Sequence, residues 1–211
     1  MRETPSLRRV QEGYTTGART LASRSVTGLA RTRVTPNALT VSGVSLCIAG
    51  SVLVYFENRN ELLFYWLGGA LFLVGSILDI LDGALARAGG KTTPFGAFLD
   101  STTDRVGEGF LLGAIALVFD RHGLSWAIAL AFASLAGSFL VSYTRAKAEI
   151  LSLKGDVGLG GRAERVTVLA CGLAAAPWGG LPWAITFLTG LTWLTVGQRV
   201  WAVRRQMLQG R

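Results

Sequence analysis

Long apolar segments fill the chain from residue 36 onward, and short polar turns separate them. Half of the 211 residues are hydrophobic and 16% are charged, whereas a soluble domain carries about 25% charged residues. A helix needs about 20 apolar residues to cross the hydrocarbon of a bilayer. Six segments approach that length, at about 36–56, 61–87, 94–119, 124–148, 163–178 and 181–203. The sequence therefore predicts an all-α, polytopic membrane protein with six transmembrane helices.

The residues before the first apolar segment are polar and basic. Among them, Leu21, Val26, Leu29 and Val34 fall roughly on one helical face. This pattern predicts an amphipathic helix that lies in the membrane interface. We therefore expect three parts, which are a cytoplasmic juxtamembrane segment at 1–35, a six-helix domain at 36–205 and a cytoplasmic tail at 206–211.

Turn residues indicate where the predicted helices begin. Thr35-Pro36 and Thr93-Pro94 each place a threonine before a proline. Threonine is a favourable N-cap, and proline is tolerated in the first helical turn. The inner loop from Glu149 to Gly161 contains four glycines, so we expect it to be mobile or to adapt to a ligand.

The basic residues are distributed unevenly around the predicted spans. With six spans, the termini and the second and fourth loops share one side, and every Lys and Arg except Arg59 and Arg121 lies on that side. Cytoplasmic loops carry such an excess of Lys and Arg, so we expect a multi-pass protein of the cell (inner) membrane with cytoplasmic termini. The net charge of +8 then serves topology and contacts with anionic lipid headgroups. The placement of the basic residues on one side of the predicted spans therefore argues against nucleic acid as a partner.

Four aspartates interrupt the second and third apolar segments, at Asp79, Asp82, Asp100 and Asp104. A carboxylate near the centre of a bilayer costs about 2.5–3.5 kcal/mol on a membrane-insertion scale, so four of them need a partner other than lipid. Their spacings of three and four residues place each pair on one helical face. Because a short turn makes the two helices antiparallel neighbours, both pairs should meet just inside the cytoplasmic interface.

Oxygen ligands without histidine or cysteine suit hard cations such as Mg²⁺, Mn²⁺ or Ca²⁺. Four carboxylates are more than one Mg²⁺ usually takes, so we expect two ions. Gly83 would let a ligand approach the backbone, and Arg87 could reach a phosphate. A divalent-cation transporter is a distant alternative. The position of the acids near the inner interface, together with the lack of an obvious inverted repeat, argues against it.

The full pattern D-x2-D-G-x2-A-R-x8-G-x3-D-x3-D, from Asp79 to Asp104, resembles the signature of the CDP-alcohol phosphotransferases. The resemblance implies an enzyme that displaces CMP from a CDP-linked donor with an alcohol, using Mg²⁺ or Mn²⁺. It implies that Asp79, Asp82 and Asp100 are metal ligands. Asp104 would also touch metal and would act as the general base on the attacking hydroxyl. A homodimer is implied as well.

The same resemblance implies the residues that bind the CDP donor. Gly83 would lie against the nucleotide, and Arg87 would hold the diphosphate. Asn37 and Thr40, in the first apolar segment, are further candidates for donor contact. Thr93, in the inner loop, is another.

Cationic segments at the inner ends of the last three spans bear on the acceptor. Cations and a hydroxyl that converge near a metal site can bind a phosphate. The residues are Ser142, Arg145, Lys147, Arg165 and Arg199. Their segments resemble those of the actinobacterial phosphatidylinositol phosphate synthases, which implies transfer from CDP-diacylglycerol to myo-inositol phosphate. A phosphatidylglycerol phosphate synthase, or another CDP-alcohol phosphotransferase, is the alternative, and an ether-lipid or soluble donor also stays open.

Overall fold

The computed structural model describes residues 35–88, 90 and 92–209, and these residues form six α-helices. The helices are α1 (Pro36–Tyr55), α2 (Glu61–Ala88), α3 (Pro94–Arg121), α4 (Ser125–Ile150), α5 (Arg162–Ala174) and α6 (Leu181–Gln209). Two short 3-10 turns complete the described part of the chain, which contains no strand. The all-α prediction is therefore confirmed. The predicted interfacial helix lies outside the described residues.

Three of these helices are long and apolar enough to cross a membrane, namely α1, residues Glu61–Arg87 of α2, and α4. Helix α5 has 13 residues, which at a rise of 1.5 Å per residue span about 20 Å. The hydrocarbon layer is about 30 Å thick. Helix α3 carries Asp100, Asp104 and Glu108, and α6 carries Arg199. The six-span layout therefore stays a prediction for α3, α5 and α6.

The helix boundaries follow local chain chemistry. Thr35 Oγ1 accepts a hydrogen bond from the Ala38 amide at 3.3 Å, and Thr93 Oγ1 accepts one from the Gly96 amide at 3.0 Å. Both predicted threonine caps are confirmed. Helix α6 continues to Gln209 because no glycine or proline interrupts it after residue 197. The tail predicted at 206–211 therefore begins inside this helix.

Helices α1 and α2 pack through two pairs of glycines. A Cβ atom at Gly43 would lie 2.8 Å from the carbonyl oxygen of Gly75, and one at Gly75 would lie 2.5 Å from that of Gly43. Gly50 and Gly68 form the same reciprocal contact, at 2.6 and 2.7 Å. Side chains at these positions would overlap the partner backbone, so glycine allows the two helices to touch. This contact brings the start of α1 against the acid-bearing end of α2.

The other helices surround a larger apolar core. Helix α3 packs against α1 and α4, while α5 lies between α2 and α6. Fully buried core residues include Phe72, Leu111, Ile115, Phe119, Leu169, Leu173, Ile185 and Leu188. Because α5 packs against α2, its first turn reaches the end of α2 that carries the aspartates.

The loop between α4 and α5, residues 151–161, is held against α6. Its hydrogen bonds run from Gly160 N to Thr195 Oγ1, from Arg199 Nε to Val157 O, and in both directions between Gln206 and the Lys154 backbone, each at 2.9 Å. The loop that we expected to be mobile or to adapt to a ligand is therefore hydrogen-bonded to α6 at Lys154, Val157 and Gly160.

Candidate active site

Three carboxylates from two helices converge at the predicted metal site. Asp79 and Asp82 of α2 are buried, and Asp100 of α3 is half-buried. One carboxylate oxygen from each lies within 4.8 Å of the other two. Three negative oxygens at this separation fit a hard divalent cation. The antiparallel pairing expected from the short turn between α2 and α3 thus brings these three acids together.

Thr40 of α1 orients one of these carboxylates. Its hydroxyl donates a hydrogen bond to Asp82 Oδ2, and it also lies 3.2 Å from the carbonyl oxygen of Pro36. A hydroxyl has one proton, so it can donate to only one of these acceptors at a time. The structure therefore places Thr40 behind a predicted metal ligand. Partners of this kind fix the geometry of a ligand and strengthen metal binding.

Asp104, one turn beyond Asp100 on α3, pairs with Arg162 at the start of α5. The guanidinium bridges two acids, with Nη1 on Asp79 Oδ2 and Nη2 on Asp104 Oδ1. Burial lowers the pKa of Arg162, but Asp104 and Asp79 more than offset this, so its pKa is raised overall. Arg162 was not among the residues that the sequence patterns assigned to the site. The arginine lies 83 residues from Asp79 along the chain, and local spacing cannot reveal such a contact.

A second ion pair lies one helical turn from the first. Arg165 donates from Nε to Glu108 Oε1 at 2.9 Å and from Nη2 to Glu108 Oε2 at 3.1 Å. Ser138 of α4 donates to the same carboxylate at 2.9 Å. Asp104 and Glu108 are four residues apart on α3, and Arg162 and Arg165 are three apart on α5. We call these two rungs the α3–α5 ion-pair ladder, and its matched spacing is the signal that could have identified Arg162.

The predicted donor-binding residues lie around the same end of the molecule. A Cβ atom at Gly83 would lie 3.3 Å from Arg87 Nη1, so the guanidinium covers this glycine. A Cβ atom at Gly96 would lie 3.0 Å from Thr93 Oγ1 and 3.7 Å from Asn37 Oδ1. The first turn of α1 and the start of α3 thus bring Asn37 and Thr93 together, and Arg87 is exposed beside Gly83.

Two of the predicted acceptor residues are exposed on α4. Arg145 pairs with Glu149 at 2.9 Å, and both side chains are more than half exposed. Lys147 Nζ lies 5.6 Å from the ring centre of Tyr143. Ser142 lines a surface pocket of about 540 Å³ that also contains Ser101 and Arg105 of α3. Arg105 Nη1 lies 3.6 Å from Asp104 Oδ2, so this residue of the pocket also contacts the acidic cluster.

The remaining predicted acceptor residues, Arg165 and Arg199, are buried inside the protein. Arg165 is 5% exposed, and its three guanidinium nitrogens donate to Glu108 and to the carbonyl oxygen of Gly160. Arg199 is 6% exposed and donates to the carbonyl oxygens of Val157 and Val141. Both side chains are therefore engaged inside the protein, and direct contact of Arg165 and Arg199 with the acceptor phosphate stays a prediction. Their depth depends on packing between distant helices, which the spacing of cations along the chain does not report.

Comparison with known proteins agrees with this geometry. A family model described as CDP-alcohol phosphatidyltransferase matches residues 33–201. An archaetidylinositol phosphate synthase from Pyrococcus horikoshii is 36% identical over 184 residues, covering 86% of this chain and 90% of that protein. A phosphatidylinositol phosphate synthase from Cutibacterium acnes is 37% identical over 190 residues, covering 84% of this chain and 89% of that protein.

Solved structures resemble the whole helical domain. The Mycobacterium tuberculosis phosphatidylinositol phosphate synthase with CDP-DAG bound matches with a TM-score of 0.76 at 26% identity, covering 87% of this chain and 94% of that chain. The same protein in complex with manganese and citrate matches with a TM-score of 0.73 at 27% identity, covering 86% and 88%.

Proposed function

Because this chain belongs to the CDP-alcohol phosphatidyltransferase family, we propose that it transfers a phosphatidyl group from CDP-diacylglycerol to myo-inositol phosphate. The products are phosphatidylinositol phosphate and CMP. The observation that carries the proposal is the group of three carboxylates within 4.8 Å, set beside an exposed arginine at the end of α2. The inositol phosphate synthases among the relatives support the choice of acceptor.

Asp79, Asp82 and Asp100 would hold a divalent metal, and Asp104 adjoins them as a fourth acid. Either Mg²⁺ or Mn²⁺ fits these oxygen ligands, and the four acids favour two ions. When bound, the metal supplies positive charge that offsets the negative charge of the diphosphate. Thr40 keeps the Asp82 carboxylate in position for this ligation.

The chain's own residues account for the remaining chemistry. An oxygen of the acceptor hydroxyl forms a bond to the lipid-linked phosphorus, and the bond from that phosphorus to CMP breaks. Asp104 accepts the proton of the attacking hydroxyl, a role that a nearby carboxylate can fill. Arg87 holds the diphosphate as CMP leaves, and Gly83 gives the nucleotide room against α2. Asn37 and Thr93 contact the donor from the other side.

The acceptor phosphate binds at the inner end of α4, next to the acidic cluster. Ser142 supplies a contact from a half-buried position, and Arg145 and Lys147 supply contacts from exposed ones. Arg165 and Arg199 support this region from inside, through the buried contacts described above. Charged side chains at the bilayer surface also suit a lipid donor, since its acyl chains stay in the membrane while the nucleotide lies in the cytosol.

We further place the protein in the inner membrane, with six spans and with its termini and active site in the cytoplasm. The distribution of Lys and Arg supports this orientation. We also propose a homodimer. A Cβ atom at Gly113 would meet nothing within 4 Å, so this glycine leaves part of the α3 surface open to a second helix. Mass measurement of the protein in lipid nanodiscs would detect two copies per particle.

An acceptor panel tests the proposed reaction. Purified protein with Mn²⁺ and CDP-diacylglycerol should release CMP with inositol phosphate, and much less with glycerol 3-phosphate or free inositol. CMP release only with glycerol 3-phosphate would assign the protein as a phosphatidylglycerol phosphate synthase instead. A parallel panel of diacyl and ether-linked CDP donors decides the lipid. Asp104→Asn should abolish turnover while donor binding persists.

The transporter alternative has its own measurement. A flux assay in liposomes would show uptake of Mn²⁺ without any CMP formed from a CDP donor. The match to the transferase family over residues 33–201 leads us to expect the opposite result, with CMP formed and no net flux.

A further inference from the structure

The Arg162 guanidinium occupies the centre of the acidic cluster. It is paired with Asp79 through one nitrogen and with Asp104 through the other. Asp79 is also one of the three carboxylates grouped within 4.8 Å. The arginine and a divalent cation would therefore draw on the same carboxylate.

The cavity on the core side of this contact is too small for a hydrated cation. It is lined by Asp79, Asp104, Glu108 and Arg162 together with core residues such as Phe72, and it has a volume of about 20 Å³. A cavity needs about 10–15 Å³ to hold one water molecule, and Mg²⁺ usually keeps several waters when it binds protein carboxylates. A hydrated cation therefore does not fit inside this cavity, and one that binds Asp79 and Asp104 from elsewhere competes with the guanidinium for their oxygens.

Arg162 can move without disturbing its helix. Its side chain is 30% exposed, and a long arginine side chain has several rotatable bonds. The next rung of the α3–α5 ion-pair ladder is different, because the Arg165 side chain is only 6% exposed and makes a bidentate pair with Glu108. The buried rung holds the first turn of α5 in place whatever the position of Arg162.

We propose that Arg162 is an exchangeable internal counter-cation for the metal site. Without metal, its guanidinium neutralises Asp79 and Asp104 and ties α5 to α2 and α3. A divalent cation that uses these two acids displaces it toward the cytoplasmic surface. Arg162 thus lowers the apparent metal affinity and stabilises the metal-free protein. This inference rests on the metal dependence of the proposed function, and it holds for any acceptor alcohol.

Direct metal binding tests the exchange. The full chain in nanodiscs is titrated with Mn²⁺ by calorimetry, and the wild type is compared with Arg162→Gln. The form that can bind Mn²⁺ is the one in which Arg162 has left the two acids. Apparent affinity falls by the fraction of molecules in the competent form. If that fraction is about one tenth in the wild type, Arg162→Gln should bind Mn²⁺ about tenfold more tightly. Arg204→Gln removes one positive charge at the same end of the molecule and should bind Mn²⁺ within twofold of the wild type. Equal or weaker binding by Arg162→Gln would overturn the proposal.

Thermal unfolding supplies a second readout on the same variants. Arg162→Gln should melt earlier than the wild type in EDTA, because the buried Asp79 and the half-buried Asp104 lose their partner, and should gain more from saturating Mn²⁺. A residue with only a structural role would lower the melting temperature by the same amount in both conditions, which would contradict the exchange.

Chemical labelling tests the movement in the unmodified protein, so the outcome does not depend on whether a variant folds. Phenylglyoxal labelling of each arginine is measured by mass spectrometry with and without Mn²⁺. Labelling of Arg162 should rise several-fold with Mn²⁺, while buried Arg165 stays protected and exposed Arg204 stays reactive. Unchanged or reduced labelling of Arg162 would refute displacement. None of these readouts requires turnover, so failure of the acceptor assignment would leave them interpretable.

Discussion

The buried pair between Glu108 and Arg165 gives the sharpest test of the structure, because the sequence suggested a different role for Arg165. Replacing Arg165 with methionine keeps much of the apolar stem and removes the charge. Glu108, which is 9% exposed, would keep one hydrogen bond from Ser138 and lose both bonds from Arg165. Removing one partner of a buried ion pair lowers the free energy of unfolding by about 3–5 kcal/mol.

This loss translates into a large change in melting temperature. For a chain of this size, 1 kcal/mol shifts the melting temperature by about 2–4 °C, so we expect a fall of roughly 6–20 °C. The double variant Glu108→Met with Arg165→Met should recover more than half of that fall, since replacing both partners with apolar side chains is often neutral or stabilising. Tryptophan fluorescence of the detergent-solubilised protein would follow the transition.

A matched control is available on α4. Arg145→Met makes the same chemical change in an exposed pair with Glu149, and exposed pairs four residues apart on a helix contribute only about 0.3–0.5 kcal/mol. It should shift the melting temperature by no more than about 2 °C. Arg165→Met could instead shift the melting temperature as little as this control and raise only the KM for the acceptor. In that case Arg165 does not stabilise the fold through Glu108, and it contacts the acceptor phosphate directly.

Further predictions concern helix packing and metal binding. Gly75→Ala should lower the free energy of unfolding by about 1–3 kcal/mol or more, because its Cβ would lie 2.5 Å from the Gly43 backbone. The control Gly113→Ala places its Cβ in open space, so it should be neutral or mildly stabilising in a thermal melt. Thr40→Val removes the hydroxyl that orients Asp82 and should weaken Mn²⁺ binding by about 10–100-fold in calorimetry, so an unchanged dissociation constant would contradict that role. Saturating Mn²⁺ at 100 times its dissociation constant should stabilise the wild type by about 2.7 kcal/mol relative to EDTA, and no shift would argue against a metal site.

Local sequence signals predicted the elements of the site that lie close together along the chain. Asp79 and Asp82 share a face through their spacing of three, and a short turn makes α2 and α3 antiparallel neighbours, so their meeting with Asp100 followed from helix geometry. The threonine caps before each proline also located the starts of α1 and α3. These predictions succeeded because each rests on contacts within one helix or between consecutive helices.

Contacts between distant helices were not predictable in the same way. Arg162 and Arg165 come from one short segment, yet the sequence selected only Arg165 and assigned it to an open pocket. Whether such a cation faces solvent or a buried acid depends on how α5 docks between α2 and α6. The glycine-rich loop also makes contacts with a distant helix that its composition did not predict. Its composition permits mobility, but Thr195 and Gln206 on α6 supply the hydrogen bonds that fix it.

The two ion pairs of the α3–α5 ion-pair ladder have different roles, because one holds the helices together and the other can break. One rung, between Glu108 and Arg165, is buried on both sides and makes bidentate hydrogen bonds, so breaking it would leave a buried charge without its ionic partner. The other rung, between Asp104 and Arg162, opens to the surface on the arginine side, and water can solvate that cation when it leaves. Because the buried rung alone can hold α5 against α3, the exposed rung can break without unfolding the contact. The acid that we propose as the general base, Asp104, therefore lies in the ion pair whose arginine we propose can exchange.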